Sequence, residues 1–126
     1  MEEIRSRYNL SLIVLHGSRV TGKLHGKSDI DIAVVRKEVN QDLNLLGLIS
    51  DLAQELKDDR IDVTDITNAN PLLLFAVMKK SKLLAGNEKD YERLKLVAFH
   101  KYSDYLPFLK READFVKERI MSYAQS

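Results

Sequence analysis

The sequence has 126 residues, with 20 Lys and Arg against 19 Asp and Glu, so its formal net charge is only +1. A charge this small supplies no basic field for direct nucleic-acid binding. The absence of cysteine excludes disulfides, thiolate metal sites and thiol nucleophiles. No apolar run approaches the ~20 residues of a membrane span, so we expect a single cytoplasmic domain that makes no membrane contact.

The first third of the chain predicts two strands separated by a polar loop. A short helix over residues 4–8 precedes an apolar strand over 10–16, which Gly17 closes. A turn or brief helix is expected from Ser18 to Gly22, and a loop over 23–28. The second strand covers 29–35 and is rich in β-branched residues. A connection of about a dozen residues leaves the pairing direction of the two strands open.

The rest of the chain alternates helices with short strands. Apolar spacing predicts a helix over residues 41–56 and a strand over 60–66. An Asn-Pro start predicts a second helix over 70–79, and an edge strand follows over 81–85. From residue 88 the spacing is helical again. Pro107 is expected to break or kink this region, giving one helix to about Tyr105 and another from Pro107 to about Tyr123, because proline lacks the amide hydrogen that a helix interior requires.

The predicted fold class is therefore α/β (α+β), a small mixed sheet flanked by helices with a helical C-terminal third. We expect one domain over 1–126, with a catalytic core over about 8–90 and C-terminal helices over about 88–123.

The strongest functional pattern joins the ends of the first two strands. Gly17-Ser18 closes the first apolar run, and after ten intervening residues Asp29-Ile30-Asp31 opens the second. Residues two apart on a strand face the same way, so both carboxylates can bind one pair of divalent cations. Oxygen ligands completed by phosphates suit Mg²⁺, with Mn²⁺ as the alternative, and two such ions support displacement at phosphorus. Gly17 permits close approach of phosphates, and Ser18 adds a hydroxyl at a helix start.

A third carboxylate is expected from the strand over residues 60–66. If that strand neighbours the strand of Asp31, Asp62 completes a carboxylate triad, ligates one metal ion and helps to deprotonate an attacking hydroxyl. Asp65 faces the other way on an ideal strand and is the weaker candidate. Carboxylates held this close repel one another and need a metal to neutralise them. The pattern therefore predicts metal-dependent chemistry on phosphate.

These residues resemble the signature of the minimal nucleotidyltransferase (MNT) family of the DNA polymerase β-like superfamily. The family pattern is Gly-Ser, ten residues, Asp-x-Asp, and the segment from Ser28 to Ile32 is similar to its usual Ser-Asp-Ile-Asp-Leu. In the segment Arg60-Ile61-Asp62-Val63, the resemblance places the third carboxylate on Asp62. The sequence departs after Ser18, where Arg19-Val20-Thr21-Gly22 stands in place of the Arg-Ala-Arg-Gly of many relatives.

The resemblance implies a nucleotidyltransferase that transfers AMP from ATP with two Mg²⁺ ions. Gly17 and Ser18 would hold the β- and γ-phosphates, with Arg19 as a further phosphate-binding candidate. Family members of this size often act as antitoxins of a HEPN-type RNase toxin, by adenylylating a tyrosine hydroxyl of that protein. The resemblance therefore implies a hetero-oligomer with such a toxin.

Two alternatives remain open. The first is transfer to a small molecule, against which the length argues because an acceptor pocket usually needs an additional domain. The second is a non-catalytic antitoxin that masks its partner by contact alone, against which the three intact carboxylates argue.

Other side chains carry weaker signals. His16 adjoins the Gly-Ser turn; we interpret it as a packing residue, with nucleotide contact as the alternative. His25 and Lys27 are interpreted as solvated loop residues near the phosphates, and His100 as structural. The aromatic residues of the C-terminal third indicate either packing between helices or a partner-binding surface, and they are Tyr91, Tyr102, Tyr105, Phe108, Phe115 and Tyr123.

Overall fold

The computed structural model describes residues 1–21 and 29–124, and the predicted loop over 23–28 lies outside them. The elements are, in chain order, α1 (Glu2–Arg7), β1 (Leu10–His16), a 3₁₀ helix (Gly17–Thr21), β2 (Ile30–Arg36), α2 (Leu45–Leu56), β3 (Ile61–Asp65), α3 (Pro71–Met78), β4 (Ser81–Gly86) and α4 (Glu88–Ala124). The predicted mixed fold class with a helical C-terminal third is confirmed.

The four strands form one mixed sheet in the order β3-β2-β1-β4. β1 is antiparallel to both β2 and β4, which settles the direction that the sequence left open. β2 is parallel to β3. The start of β2 therefore meets the end of β1 on one side and the start of β3 on the other. β4 is an edge strand, as predicted.

Helices cover both faces of the sheet. On one face, side chains of β1 and β2 pack with α1 and α2 around fully buried Ile13, Ile32, Leu48 and Leu52. On the other face, Val14 and Ala33 pack with side chains of α3 and α4, among them Leu74, Met78 and Ala98. Full burial of an aliphatic side chain of this size stabilises a fold by about 1.5–3 kcal/mol. The buried clusters on the two faces of the sheet therefore hold the strands, and with them the residues at the strand ends, in fixed positions.

The helix starts show how local capping sets the boundaries. α3 begins at Pro71 as predicted, and the Asn70 side chain accepts a hydrogen bond of 2.9 Å from the backbone N–H of Leu73. The prediction that α2 begins at residue 41 is wrong. Asn44 caps α2 by accepting a bond of 3.1 Å from the N–H of Gly47, so the first helical residue is Leu45. Apolar periodicity alone did not reveal this cap.

The predicted break at Pro107 is wrong, because α4 continues through it from Glu88 to Ala124. A proline at this position removes the hydrogen bond to the carbonyl of Ser103. Ser103 is exposed, so water can satisfy that carbonyl without ending the helix. Within the described ranges, no helix combines the length and the apolar character needed to cross a membrane.

The aromatic residues of α4 divide into a packed group and an exposed group. Tyr91 is buried, and the Tyr102 ring stacks on Phe75 of α3 at 4.0 Å between ring centroids. Phe115 and Tyr123 are 59% and 73% exposed. Every residue from 110 to 124 is exposed. We call residues 106–124 the distal segment, and the described residues before it, 1–21 and 29–105, the sheet domain. The first half of α4 packs on the sheet, whereas the distal segment extends from it.

Candidate functional site

Four polar residues lie side by side at one end of the sheet. In the strand register, Asp31 pairs with Asp62 of β3 on one side and with His16 of β1 on the other, and His16 pairs in turn with Ser81 of β4. Side chains of paired residues leave the same face of a sheet. We call Asp62, Asp31, His16 and Ser81 the polar row. It lies on the face that α3 and α4 cover, beyond the apolar residues Val14 and Ala33.

Gly17 brings the two halves of the sequence motif into contact. Its φ is +82°, and a Cβ at this position would lie 2.6 Å from Oδ2 of Asp31. Both the left-handed backbone and the lack of space require glycine here. The exposed Ser18 follows in the 3₁₀ helix. The Gly-Ser turn and the carboxylate of Asp31, which the sequence separates by the loop, therefore share one site.

The three predicted carboxylates occupy different positions at this site. Asp31 is half-buried, whereas Asp62 and Asp29, the residue just before β2, are exposed. The N–H of Ile30 donates to the carbonyl of Arg60 at 2.8 Å and joins the two strands beside Asp29. In the described part of the chain, no three His, Cys, Asp or Glu groups are gathered closely enough to hold a metal ion.

The donor set nevertheless fits a magnesium ion that phosphate helps to coordinate. Mg²⁺ usually takes one or two carboxylates, and phosphate oxygens and water complete its coordination. Asp31 and Asp62 offer such a pair, because the register places them next to each other. Neither forms an ion pair with a lysine or arginine of the described residues, so their mutual repulsion favours a bound cation.

Arg19 lies against a carboxylate that the sequence reading missed. Its Nη2 is 3.8 Å from Oδ2 of Asp58, and Arg19 is 14% exposed. Arg60 also pairs with Asp58, at 3.2 Å, and its side-chain hydrogen bonds hold the pKa of Asp58 below its usual value. Asp58 therefore connects the predicted phosphate-binding arginine to the start of β3. The Asp58-x-Arg60 spacing is the sequence signal for this pair, and it lies between the predicted helix over 41–56 and the predicted strand over 60–66.

His16 has a feature that its interpretation as a packing residue does not explain. Its Nε2 is buried and has no hydrogen-bond partner among the described residues. Burial lowers the pKa of His16 below its usual value, although Asp31 and Asp62 act in the opposite direction. A buried polar atom without a partner costs about 1–3 kcal/mol, so the position of this nitrogen calls for a reason.

Ser81, the neighbour of His16 on the side away from Asp31, already has hydrogen-bond partners. The hydroxyl of Ser81 donates to the carbonyl of Met78 at 2.8 Å and lies 2.8 Å from the hydroxyl of Tyr91. This pair joins the end of the polar row to the first turns of α4.

The remaining candidates lie away from the site or outside the described residues. Asp65 forms an ion pair of 2.7 Å with Arg36 and accepts a bond of 2.6 Å from the hydroxyl of Thr67, which gives this carboxylate a structural role. His100 lies on α4, and its ring makes an edge-to-face contact with the ring of Phe99. His25 and Lys27 fall in the segment that is not described.

The fold and the site together define a class of protein. A mixed sheet that places a Gly-Ser turn against in-register carboxylates is suited to hold a nucleotide's phosphates and their metal ions. The chain belongs to the polymerase β nucleotidyltransferase family, whose profile matches residues 1–90.

Two curated relatives carry the same description. The chain is 36% identical over 83 residues to the protein adenylyltransferase MntA of Shewanella oneidensis, covering 66% of this chain and 59% of that protein. It is 28% identical over 94 residues to the protein adenylyltransferase MntA of Aphanizomenon flos-aquae, covering 64% and 62%. The chain thus spans about three-fifths of the length of the curated relatives that it matches.

Solved structures resemble the chain over nearly its whole length. One is a toxin–antitoxin crystal structure with AMP-PNP, with a TM-score of 0.69 and 28% identity over 94% of both chains. Another is a tri-AMPylated Shewanella oneidensis HEPN toxin in complex with its MNT antitoxin, with a TM-score of 0.63 and 26% identity over 94% of this chain and 91% of that one.

Proposed function

We propose that this chain transfers AMP from ATP to a tyrosine hydroxyl of a HEPN-type RNase toxin and so acts as a cytoplasmic antitoxin. The observation that carries the proposal is the register pairing of Asp31 with Asp62 directly beside Gly17. The two curated adenylyltransferase relatives and the resemblance to an antitoxin in complex with an AMPylated toxin support it.

Each predicted site residue has a distinct role in this proposal. Gly17 and Ser18 hold the β- and γ-phosphates, and Asp29 and Asp31 ligate two Mg²⁺ ions, for which Mn²⁺ can substitute. When bound, the ions neutralise charge on the phosphates and the departing oxygen. Arg19 reaches a phosphate when its long contact with Asp58 opens.

The transfer forms one bond at phosphorus and breaks another. The acceptor oxygen bonds to the α-phosphorus while the bridging bond to the β-phosphate breaks, so pyrophosphate leaves with its electron pair. Asp62 ligates one of the two ions and accepts the proton of the attacking hydroxyl. Its exposure at the edge of the polar row leaves it accessible to a hydroxyl that another protein presents.

The distal segment supports a protein as the acceptor. Its exposed apolar side chains are Leu106, Phe108, Phe115, Val116, Ile120, Met121 and Tyr123. Exposed apolar side chains concentrated on one segment in this way indicate a site of interaction between proteins. We infer that the toxin covers the distal segment, and that this contact selects the acceptor and gives a hetero-oligomer.

The test is transfer of label from α-labelled ATP, with Mg²⁺, to the protein encoded by the neighbouring gene. We expect label on a tyrosine of that protein and its loss with the double variant Asp29→Asn, Asp31→Asn. Asp65→Asn is the matched control, because it removes a carboxylate of the same sheet that is bound to Arg36. Absence of transfer, or transfer that survives the double variant, contradicts the proposal.

Masking by contact is the second candidate, and the exposed apolar surface of the distal segment is the observation that favours it. The same double variant separates the two functions when RNase activity is measured. If the variant binds the toxin but no longer inhibits it, transfer is the mechanism; unchanged inhibition indicates masking.

A further inference from the structure

Asp58 binds two arginines just before the start of β3. Nε of Arg60 donates to Oδ1 of Asp58 at 3.2 Å, and Nη2 of Arg60 donates to Oδ2 at 3.2 Å. The backbone N–H of Arg60 also donates to Oδ1, at 2.9 Å. Arg19 approaches the same carboxylate, with its Nη2 3.8 Å from Oδ2, and the Arg19 and Asp58 side chains are 14% and 17% exposed. A carboxylate that binds a guanidinium through both oxygens fixes its orientation as well as neutralising its charge.

The Arg60 guanidinium also lies within electrostatic reach of a proposed metal ligand. The N–H of Ile30, the first residue of β2, donates to the carbonyl of Arg60 at 2.8 Å, so Asp29 and Arg60 are neighbours at the starts of two paired strands. The hydrogen bond with Asp58 is the largest cause that raises the pKa of Arg60. The negative charges of Asp59 and Asp29 raise that pKa further.

A guanidinium released from Asp58 would compete with a metal ion for Asp29. An arginine that pairs with a carboxylate neutralises the charge that attracts a cation. Among the ion pairs formed between described residues, none includes Asp29. The Asp29 carboxylate is therefore available to a cation as long as Arg60 is held elsewhere.

We propose that Asp58 is a positioning residue for the metal site, which holds the Arg60 guanidinium by two hydrogen bonds and so keeps the carboxylate of Asp29 available to the cation. The inference rests on the proposed function, since Asp29 is a metal ligand only within that function. If Asp58 served only to shape the turn before β3, metal affinity would not depend on the charge of Arg60.

The experiment measures Mn²⁺ binding to the whole chain by electron paramagnetic resonance, with a non-hydrolysable ATP analogue present. Asp58→Asn removes the charge but keeps Oδ1 as an acceptor for the backbone N–H of Arg60. The double variant Asp58→Asn, Arg60→Gln removes the released cation as well. Asp59→Asn is the matched control, because it removes the same charge from the adjacent, exposed residue.

We expect Mn²⁺ affinity to fall by about tenfold in Asp58→Asn, because an adjacent guanidinium stabilises a carboxylate by about this factor or more and the cation must displace it. The double variant and Asp59→Asn should both stay within about twofold of the original chain, since an exposed charge contributes little. If Asp58→Asn does not fold, Asp58→Ser replaces it in both variants, because a serine hydroxyl can accept the same backbone bond.

Three results would each overturn the inference alone. They are unchanged affinity in Asp58→Asn, an equal loss in Asp59→Asn, and a double variant that binds Mn²⁺ as weakly as Asp58→Asn does. An original chain that binds neither Mn²⁺ nor the analogue overturns the proposed function as well.

Discussion

The sheet domain and the distal segment differ in what covers their apolar side chains. Ile13, Ile32 and Leu48 are fully buried between sheet and helices, whereas Phe115 and Ile120 are 59% and 63% exposed. The two regions have similar residue types but different surroundings. Stability should therefore depend on the sheet domain, and recognition of another protein on the distal segment. Substitutions can test this separation directly.

The largest effect is expected at two carboxylates of β3, where one substitution should lower activity and the other should lower stability. Asp62→Asn should lower the rate of AMP transfer by about 10²–10³-fold, since several kcal/mol of transition-state stabilisation depend on the metal site. Asp65→Asn should leave the rate nearly unchanged and lower stability, because it breaks the pair with Arg36. Steady-state rates and urea unfolding check both. Equal rate losses in the two variants would show that Asp65 takes part in AMP transfer, as Asp62 does.

The next largest effects are expected from truncating one side chain to alanine in the sheet domain and one in the distal segment. Leu48→Ala should lower the free energy of unfolding by about 2–5 kcal/mol, because it leaves a cavity under the sheet. Ile120→Ala should change the free energy by less than about 0.5 kcal/mol, yet weaken binding to the toxin. Urea unfolding and calorimetric titration with the toxin measure the two quantities. A loss of stability from Ile120→Ala as large as that from Leu48→Ala would refute the separation.

A local effect is expected at Pro107. A proline inside a helix is about 3 kcal/mol less favourable than alanine, so Pro107→Ala should strengthen the helix around it. Since the distal segment is exposed, the gain should appear as slower amide exchange near residue 107 and barely move the urea midpoint of the domain. Lys110→Ala is the control for a substitution without proline. A clear rise in the urea midpoint would mean that the distal segment unfolds together with the sheet.

The smallest effect concerns acid stability of the sheet domain. The hydroxyl of Tyr8 donates to Asp51 at 2.6 Å, and this bond, followed by that from Arg7, lowers the pKa of Asp51. A lowered pKa adds stability above the unfolded value near pH 4 and loses it as the pH falls through the folded value. Tyr8→Phe should therefore destabilise the chain more at pH 6 than at pH 2.5.

Urea unfolding at the two pH values measures this difference. Tyr91→Phe is the control, because the Tyr91 hydroxyl contacts Ser81 rather than a carboxylate and its loss should not depend on pH in this range. Equal destabilisation by Tyr8→Phe at both values would contradict the assignment.

Local chemistry determined which parts of the fold were predictable. β1 has its predicted bounds because a short apolar run ends at Gly17, and α3 begins at its Asn-Pro cap. The course of α4 through Pro107 was not predictable from the local rule, since tolerance depends on the exposure of Ser103. The direction of β1 against β2 was not predictable either, because a connection of about a dozen residues allows both pairings.

The same distinction holds for the candidate site. Gly17, Ser18, Asp29 and Asp31 are recognisable because their spacing is local, and Asp62 because its strand is short and clear. The contact of Asp58 with Arg19 joins elements that are distant in sequence, and the burial of the His16 nitrogen without a partner depends on how such elements pack. Neither is visible in the sequence. Sequence spacing identifies the residues that touch the phosphates, whereas their supporting partners depend on the register of the sheet.

The unbroken course of α4 sets a distance that any partner must bridge. Tyr91 contacts Ser81 at the end of the polar row, and at 1.5 Å per residue Ile120 lies about 40 Å further along the helix. A compact domain of 100 residues has a radius of gyration of about 13 Å, so a single small domain does not easily reach both points. A straight helix would need about 27 residues to do so. If the distal segment binds the toxin, the length of α4 fixes the distance between that contact and the candidate site. Only a hydroxyl that lies at this distance from the bound surface of the toxin can then reach Asp62.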